Sequence, residues 1–302
     1  MDAGVLFRPN DCSLRTYRRA GLGNPKVTKT SPFFYSLLMP KATLTKRLEF
    51  CSSHRYHNPQ WDDAKNRAVF GACNNENTHG HNYLLEVTLR GNIDPVTGMI
   101  INLYDLKLIL NQVLEQFDHK NLNLDTPYFS DRIPTTENLA VTLWHILEKH
   151  PALPTPDALR LYEDKTLYAE VNAEFMDGGQ QTATGTSALI ARRYAFSAVH
   201  QSRTGKTQGH NYDLWVVTKG PISADTGQVM NLQTLDHIVR THILTRFDQR
   251  NLSEDPAFAN IPVTDSTLAK VAWETMSPHF LTPPLQRVSV SQQPGAVATF
   301  SG

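Results

Sequence analysis

The chain carries one long pattern twice. "LEFCSSHRYH" from Leu48 resembles "YAFSAVHQSR" from Tyr194, "HGHNYLLEVTLRGNIDPVTGMIINL" from His79 resembles "QGHNYDLWVVTKGPISADTGQVMNL" from Gln208, and "FDHKNL" from Phe117 resembles "FDQRNL" from Phe247. An offset of 129 relates His79 to Gln208, Thr135 to Thr264 and Glu163 to Gln292. Periods of about 20 to 50 residues build solenoids and propellers, so one this long specifies two copies of a whole domain. With 302 residues the chain has enough length for each copy to bury its own core.

Within the first copy the apolar period changes along the chain. "NYLLEVTLR" sets Tyr83, Leu85, Val87 and Leu89 on one face, which predicts a half-buried strand, and "IDPVTGM" from Ile93 follows as a turn. Leu103, Leu106, Leu110, Val113, Leu114 and Phe117 then recur at helical spacing behind Asn102, a candidate N-cap. A second helix is expected from Thr136, carrying Leu139, Leu143, Ile146 and Leu147, and "ALRLYEDKTLYAEV" closes the copy as a strand or strand pair. The order strand, strand, helix, helix, strand, strand predicts an α+β fold of two tandem units, each an antiparallel sheet with helices on one face. The expected domains are residues 41–171 and 189–302, joined by a Gly-, Thr- and Ala-rich linker at 172–188. Residues 1–40 are expected to be a disordered or loosely docked extension. Its first 38 residues are basic, broken by Gly21, Gly23, Pro25 and Pro32, and lack a secretory apolar centre; an organelle-targeting peptide or a start codon assigned upstream of Met39 are further readings.

Composition narrows the partners. Lys plus Arg and Asp plus Glu number 29 each, without a long run of one sign, so no nucleic-acid or membrane surface is expected and a small molecule is the default partner. Cys12, Cys51 and Cys73 form no C-x-x-C pair, which suits a reducing, cytoplasmic protein. The longest apolar run, "FFYSLLM", is far shorter than the roughly 18 to 20 residues of a membrane helix.

Chemistry concentrates in "FGACNNENTHGHNY". His79 and His81 are two apart at the start of a strand and leave the same face. His54, at the end of the preceding strand, can be brought opposite them, giving three imidazoles for Zn²⁺ with a fourth position open, as in catalytic zinc sites. An isolated H-x-H is otherwise an ordinary surface pair. Cys73 lies six residues before His79 in a loop that the second copy lacks; a neighbouring dication or imidazolium would lower its pKa and make a thiolate available. Asp118 and His119 follow the first helix, where the carboxylate can orient the imidazole, although such a dipeptide can also be a polar helix end. Glu163 in "LRLYED" would need paired donors if it pointed inward and is a solvated glutamate if it does not.

"FCSSH", "CNNENTHGHNY", "IDPVTGMIINLYDL", "FDHKNL", "PTTENLA" and "LYED" stand in the order and spacing of the 6-pyruvoyl-tetrahydropterin synthase family, which the chain resembles over about residues 44–171 and more weakly over about 190–300. The resemblance implies a tunnelling fold, in which ββααββ units join their sheets into a barrel and active sites lie between units. It implies zinc on His54, His79 and His81, Cys73 as proton-transferring base, Asp118 with His119 as a relay, and Glu163 gripping a pterin ring with help from Thr135, Thr136 and Glu137. The implied reaction is that of a carbon–oxygen lyase acting on phosphates: 7,8-dihydroneopterin triphosphate loses triphosphate to give 6-pyruvoyl-tetrahydropterin. The related 6-carboxytetrahydropterin synthase of queuosine biosynthesis is the alternative, and five residues between Cys73 and His79 favour the pyruvoyl product. A relative that makes a folate precursor carries glutamate in place of this cysteine.

In the second copy His200 and His210 survive, but Gln208, Gln249, Ser266 and Gln292 stand at the remaining chemical positions, so no catalytic metal is expected there. Its apolar pattern, Leu232, Leu235, Ile238, Leu244 and Phe247, is intact, which predicts a structural half. If tandem duplication replaces an oligomer of single units, the chain is a homo-oligomer, with a trimer favoured. A catalytically silent zinc- and pterin-binding protein is the contrasting function class.

Overall fold

Alternation of buried and exposed side chains builds the two long hairpins on which everything else rests. In the computed structural model, β1 (Lys41–His54) pairs antiparallel with β2 (His79–Asn92) in an unbroken register running from Lys41 opposite Asn92 to His54 opposite His79. Tyr83, Leu85, Val87 and Leu89 are fully buried on the inner face, as the period-2 pattern predicts. The structure describes residues 40–177, 186–293 and 295–302; the expected extension, apart from its last residue, and the middle of the expected linker lie outside them.

Between β1 and β2 stands a helix that the apolar pattern does not announce, α1 (Asp63–Phe70), capped by Asp62 accepting from the Lys65 N–H. Its buried positions are Asn66 and Phe70, so an amide occupies a place where the helical pattern would put an apolar residue. Asn66 Nδ2 donates to the carbonyls of Asn58, Trp61 and Asp62, closing the loop on itself. A short 3₁₀ turn, Gly71–Asn74, then carries Cys73.

After β2, α2 (Leu103–Leu114) starts at Asn102, whose side chain accepts from the Tyr104 N–H. Leu106, Leu110, Val113 and Leu114 face the sheet, whereas Leu103 and Leu108 are exposed. The two-residue β3 (Lys120–Asn121) runs parallel to β1, and α3 (Thr136–Glu148) is capped by Thr135. β4 (Pro156–Asp164) and β5 (Leu167–Asn172) complete the first copy, followed by the short α4 (Ala173–Asp177).

The second copy repeats the plan with β6 (Ser187–Gln201), β7 (Thr207–Pro221), α5 (Leu232–Val239), α6 (Thr245–Phe247), α7 (Asp265–Met276), β8 (Leu285–Gln293) and β9 (Ala296–Phe300). One more residue separates Leu232 from Phe247 than Leu103 from Phe117, and a π turn at Arg240–Leu244 absorbs it between α5 and α6. Two separate sheets were expected; β5 pairs antiparallel with β6, placing Leu167 opposite Arg192, and fuses them into one nine-stranded sheet ordered β3-β1-β2-β4-β5-β6-β7-β8-β9. The fold class is α+β, and the parallel β1–β3 pair makes the sheet mixed.

Candidate metal centre and the pocket around it

The register that pairs His54 with His79 sets the site, because His54, His79 and His81 all leave the inner face at the mouth of the first hairpin. One ligand atom from each lies within 4.8 Å of the others. The Nε2 atoms of His54 and His79 are 3.1 Å apart, close to the roughly 3.3 Å that separates two nitrogens on a tetrahedral zinc. The other nitrogen of His54, Nδ1, is within 3.1 Å of both the Pro134 carbonyl and the Tyr83 hydroxyl, the outer contacts that fix a liganding imidazole.

Burial, reinforced by His79 and His81, pushes His54 down to about 3, and burial likewise lowers His79. His54 and His79 therefore present neutral lone pairs to each other at neutral pH. His79 Nδ1 and His81 Nε2 are buried without a hydrogen-bond partner. Three converging imidazoles fit a divalent cation, and fit zinc with a position left for a ligand.

Glu163 points inward, resolving the choice the sequence leaves open. It is buried, its Oε1 lies 3.5 Å from His81 Nε2, and its Oε2 accepts from Tyr56 Oη at 2.9 Å and from the Thr136 hydroxyl. The Thr136 N–H in turn donates to Tyr56 Oη at 3.3 Å. Tyr56 and Tyr83 are both held well above the ordinary phenol pKa, first by burial and next by the Glu163 charge.

Cys73 departs from its expected chemistry. Burial first, and then Glu163, push its thiol up to about 11, with Arg192 of β6 acting in the opposite direction. A depressed pKa requires a cation beside the sulfur, and the lowered His54 and His79 do not supply one.

Thr135 and Glu137 are tied to the second copy. Thr135 Oγ1 donates to the Gly227 carbonyl at 2.5 Å while capping α3 through the Asn138 N–H. Glu137 Oε1 accepts the Val229 N–H at 3.0 Å, and burial raises its carboxyl to about 7. Asn58 Nδ2 donates to the Asp225 carbonyl, and Asn231 Nδ2 to that of Val69. The segment from Asp225 to Gln233 thus forms a wall of the first copy's site.

Asp118 and His119 sit elsewhere. Asp118 Oδ1 accepts the Cys51 N–H at 2.8 Å and Oδ2 lies 2.9 Å from His119 Nδ1, beside an open cavity of about 550 Å³ that also meets Ser52, His81 and Asn82. His119 is 80% exposed, and among the described residues no hydrogen bond or ion pair joins it or Asp118 to Cys73. Cys51, Asp118 and His119 also bring one ligand atom each within 4.8 Å. In the second copy Asp248 makes the same bond, accepting from the Ser197 N–H at 2.9 Å, and His119 and Gln249 share the same left-handed φ of 57°. The aspartate therefore has a backbone-holding role that survives where the histidine does not.

Sequence reasoning missed Tyr56, Tyr83 as a histidine-orienting group, Arg192 and the Gly227–Val229 wall. Tyr56 was legible in part, two residues after His54 on an extended run; Arg192 and the wall come from the other copy and carry no local signal.

What stands in outline is a duplicated α+β domain whose first copy gathers three histidines able to hold a metal ion. The family model for 6-pyruvoyl tetrahydropterin synthase matches residues 43–174 and again 189–302, and the chain belongs to that family. It is 47% identical over 126 residues to a 6-pyruvoyl tetrahydrobiopterin synthase of Poecilia reticulata and 44% identical over 124 residues to that of Homo sapiens, in each case over 41% of this chain and 86% of the relative. The structure of the Caenorhabditis elegans 6-pyruvoyl tetrahydropterin synthase matches with a TM-score of 0.42 at 34% identity, over 44% of this chain and 96% of that one.

Proposed function

We propose that the chain is a zinc-dependent 6-pyruvoyl-tetrahydropterin synthase, a lyase that eliminates triphosphate from 7,8-dihydroneopterin triphosphate at a single centre in its first half. The observation that carries this reading is the convergence of His54, His79 and His81 on one point beside the inward Glu163. Zinc on the three imidazoles would supply a Lewis acid for the substrate's side-chain hydroxyls.

Glu163 is the group suited to the pterin. Its Oε2 is taken by two hydroxyl donors, which leaves Oε1 to accept from a ring N–H. Cys73 holds its proton in the environment described, and a dication's charge would shift it toward the thiolate that a base requires. Thr136 donates to Glu163 and so fixes its orientation; Thr135 and Glu137 act through their bonds to the second half, setting the position of α3. Asp118 orients His119 as a second proton-carrying group, a role that needs a neighbouring molecule to bring it to a substrate.

That neighbour is a second copy of the chain. The β5–β6 pairing supports the same junction between chains, with β9 of one beside β1 of the next; transferring the register puts Ala296 opposite Lys46. Exposed Met99 and Leu103 are then covered, as their counterparts are within the chain, where Gln228 is buried and Leu232 half-buried. A closed trimer follows as the favoured assembly, and sedimentation of an active monomer would remove it. The free thiols of Cys51 and Cys73 fit a cytoplasmic setting. Among the described residues no helix is long and apolar enough to cross a membrane.

The test is incubation of zinc-loaded protein with 7,8-dihydroneopterin triphosphate and mass identification of the pterin. A pyruvoyl product supports the reading, a carboxy product moves the chain to the 6-carboxytetrahydropterin branch, and unchanged substrate leaves a binding protein.

A further inference from the structure

The second half keeps more of a metal centre than its sequence suggests. His200 pairs with Gln208 across the β6–β7 hairpin as His54 pairs with His79 across the first. The Tyr212 hydroxyl lies 3.3 Å from His200 Nδ1, reproducing the 3.1 Å contact of Tyr83 with His54 Nδ1. The outer contact that orients a liganding imidazole, leaving its Nε2 available, has therefore outlasted the loss of the third histidine. His210 holds the place of His81, its ring centroid 5.3 Å from that of His200.

A carboxylate has entered this pocket from another direction. Asp265, the first residue of α7, stands where the first half has Thr136, and its charge acts on both His200 and Tyr212. Gln292 stands where the first half has Glu163. The pocket has thus exchanged one acid for another: the strand carboxylate has become an amide, and the helix hydroxyl has become a carboxylate.

Neither newcomer is satisfied. Asp265 Oδ1 and Gln292 Oε1 are buried with no hydrogen-bond partner, and both side chains line a cavity of about 370 Å³ together with His200, Gln208 and His210. A buried carboxylate oxygen without a donor is costly, and two such acceptors facing two imidazoles call for a cation.

We propose that the second half holds a divalent transition-metal ion of the zinc class, with His200, His210 and Asp265 as ligands and the Gln208 and Gln292 amide oxygens beside it. Two imidazoles and one carboxylate form an established donor set for such ions. The ligand atoms of His200, His210 and Asp265 do not all come within 4.8 Å of one another, as those of His54, His79 and His81 do, and the His200 and His210 rings lie 24° from parallel where His54 and His81 meet at 69°, so side chains must turn to share an ion. The second site is accordingly the weaker of the two. Gln292 offers no charge to a pterin, which makes this site a structural one, separate from the turnover assigned to the first half.

The experiment counts zinc on the full chain after chelation and reloading, by mass spectrometry of the metal and by calorimetric titration. Two equivalents are expected, one tight and one at least tenfold weaker. Asp265→Thr, which restores the first half's residue, and His210→Gln should each remove the weaker equivalent while the metal-free variants melt like the parent. His81→Ala should disturb the tight one and leave the weaker. Gln208→His should tighten the weaker equivalent tenfold or more, a gain that a misfolded variant cannot give. One equivalent on the parent chain, two undiminished equivalents on well-folded Asp265→Thr, or no gain from Gln208→His overturns the assignment and leaves the catalytic reading of the first half untouched.

Discussion

Val229 donates its backbone N–H to Oε1 of Glu137 across 3.0 Å, so a buried carboxylate at the start of α3 in one half is held by the main chain of the other. Two residues earlier, the Gly227 carbonyl receives the Thr135 hydroxyl at 2.5 Å. The second half, with Gln208 and Gln292 where the first has His79 and Glu163, therefore closes one side of the first half's site from within the same chain.

Gly227 offers a controlled test of that contact. It and its counterpart Gly98 both have φ of +70°, but a Cβ on Gly227 would meet Asn138 Nδ2 at 2.8 Å and Thr135 Cγ2 at 2.9 Å, whereas nothing lies within 4 Å of one on Gly98. Both alanine variants lose about 1 kcal/mol to the left-handed backbone. Gly227→Ala should lose roughly 1–3 kcal/mol more through the clash and lower kcat/KM, as denaturant titration and turnover will show. Equal effects at the two glycines would contradict the role given to the wall.

The raised carboxyl of Glu137 predicts a pH dependence of defined sign. Its folded pKa of about 7 lies above the ordinary 4.5, so the contribution to stability is complete below pH 4.5 and is lost as pH rises through 7. The full effect is about 3 kcal/mol. Glu137→Gln should flatten the profile over this window and be more stable than the parent at pH 8, measured by urea unfolding of metal-free protein. A variant destabilised equally at pH 5 and pH 8 would show that the carboxylate's charge is not the cause.

His54 gives the opposite slope. Its folded pKa of about 3 lies below the ordinary 6.5, so the unfolded chain binds a proton that the folded one refuses as pH falls through this window. Metal-free protein should lose about 4–5 kcal/mol between pH 6.5 and 3 from this group alone, and zinc should dissociate over the same range. Retention of zinc at pH 4 would count against imidazole ligation.

The Cys73 thiol should react slowly with iodoacetamide in metal-free protein, with an apparent pKa near 11. Zinc loading should lower that value, and Glu163→Gln should lower it by removing the negative neighbour; Arg192→Met should raise it by removing the cation. Cys73→Ala identifies the reacting site. A pKa indistinguishable from that of an ordinary cysteine would remove the buried-thiol picture.

Much of this centre was legible in the residues. The H-x-H of His79 and His81 on a strand gives their shared face, and His54 at the end of the strand before it allows the pairing with His79 that the structure shows. The helices at Leu103 and Thr136 follow from apolar spacing behind Asn102 and Thr135. The α1 helix did not, because Asn66 replaces the apolar residue its buried face would show. The direction of the Cys73 shift was out of reach because it depends on burial and on Glu163, 90 residues away. The β5–β6 junction was hidden because Leu167 and Arg192 are paired across the region read as a linker.

Release of triphosphate from 7,8-dihydroneopterin triphosphate, followed for the zinc-loaded chain beside its Cys73→Ala and Glu163→Gln variants, tests the central claim most directly. One triphosphate should leave per pterin converted. Cys73→Ala should abolish turnover with its zinc retained, and Glu163→Gln should raise KM at least tenfold, the loss of about 1.5–3 kcal/mol in a charge-assisted hydrogen bond. No release by the fully zinc-loaded chain, or release undiminished in Cys73→Ala, would contradict a catalytic centre in the first half.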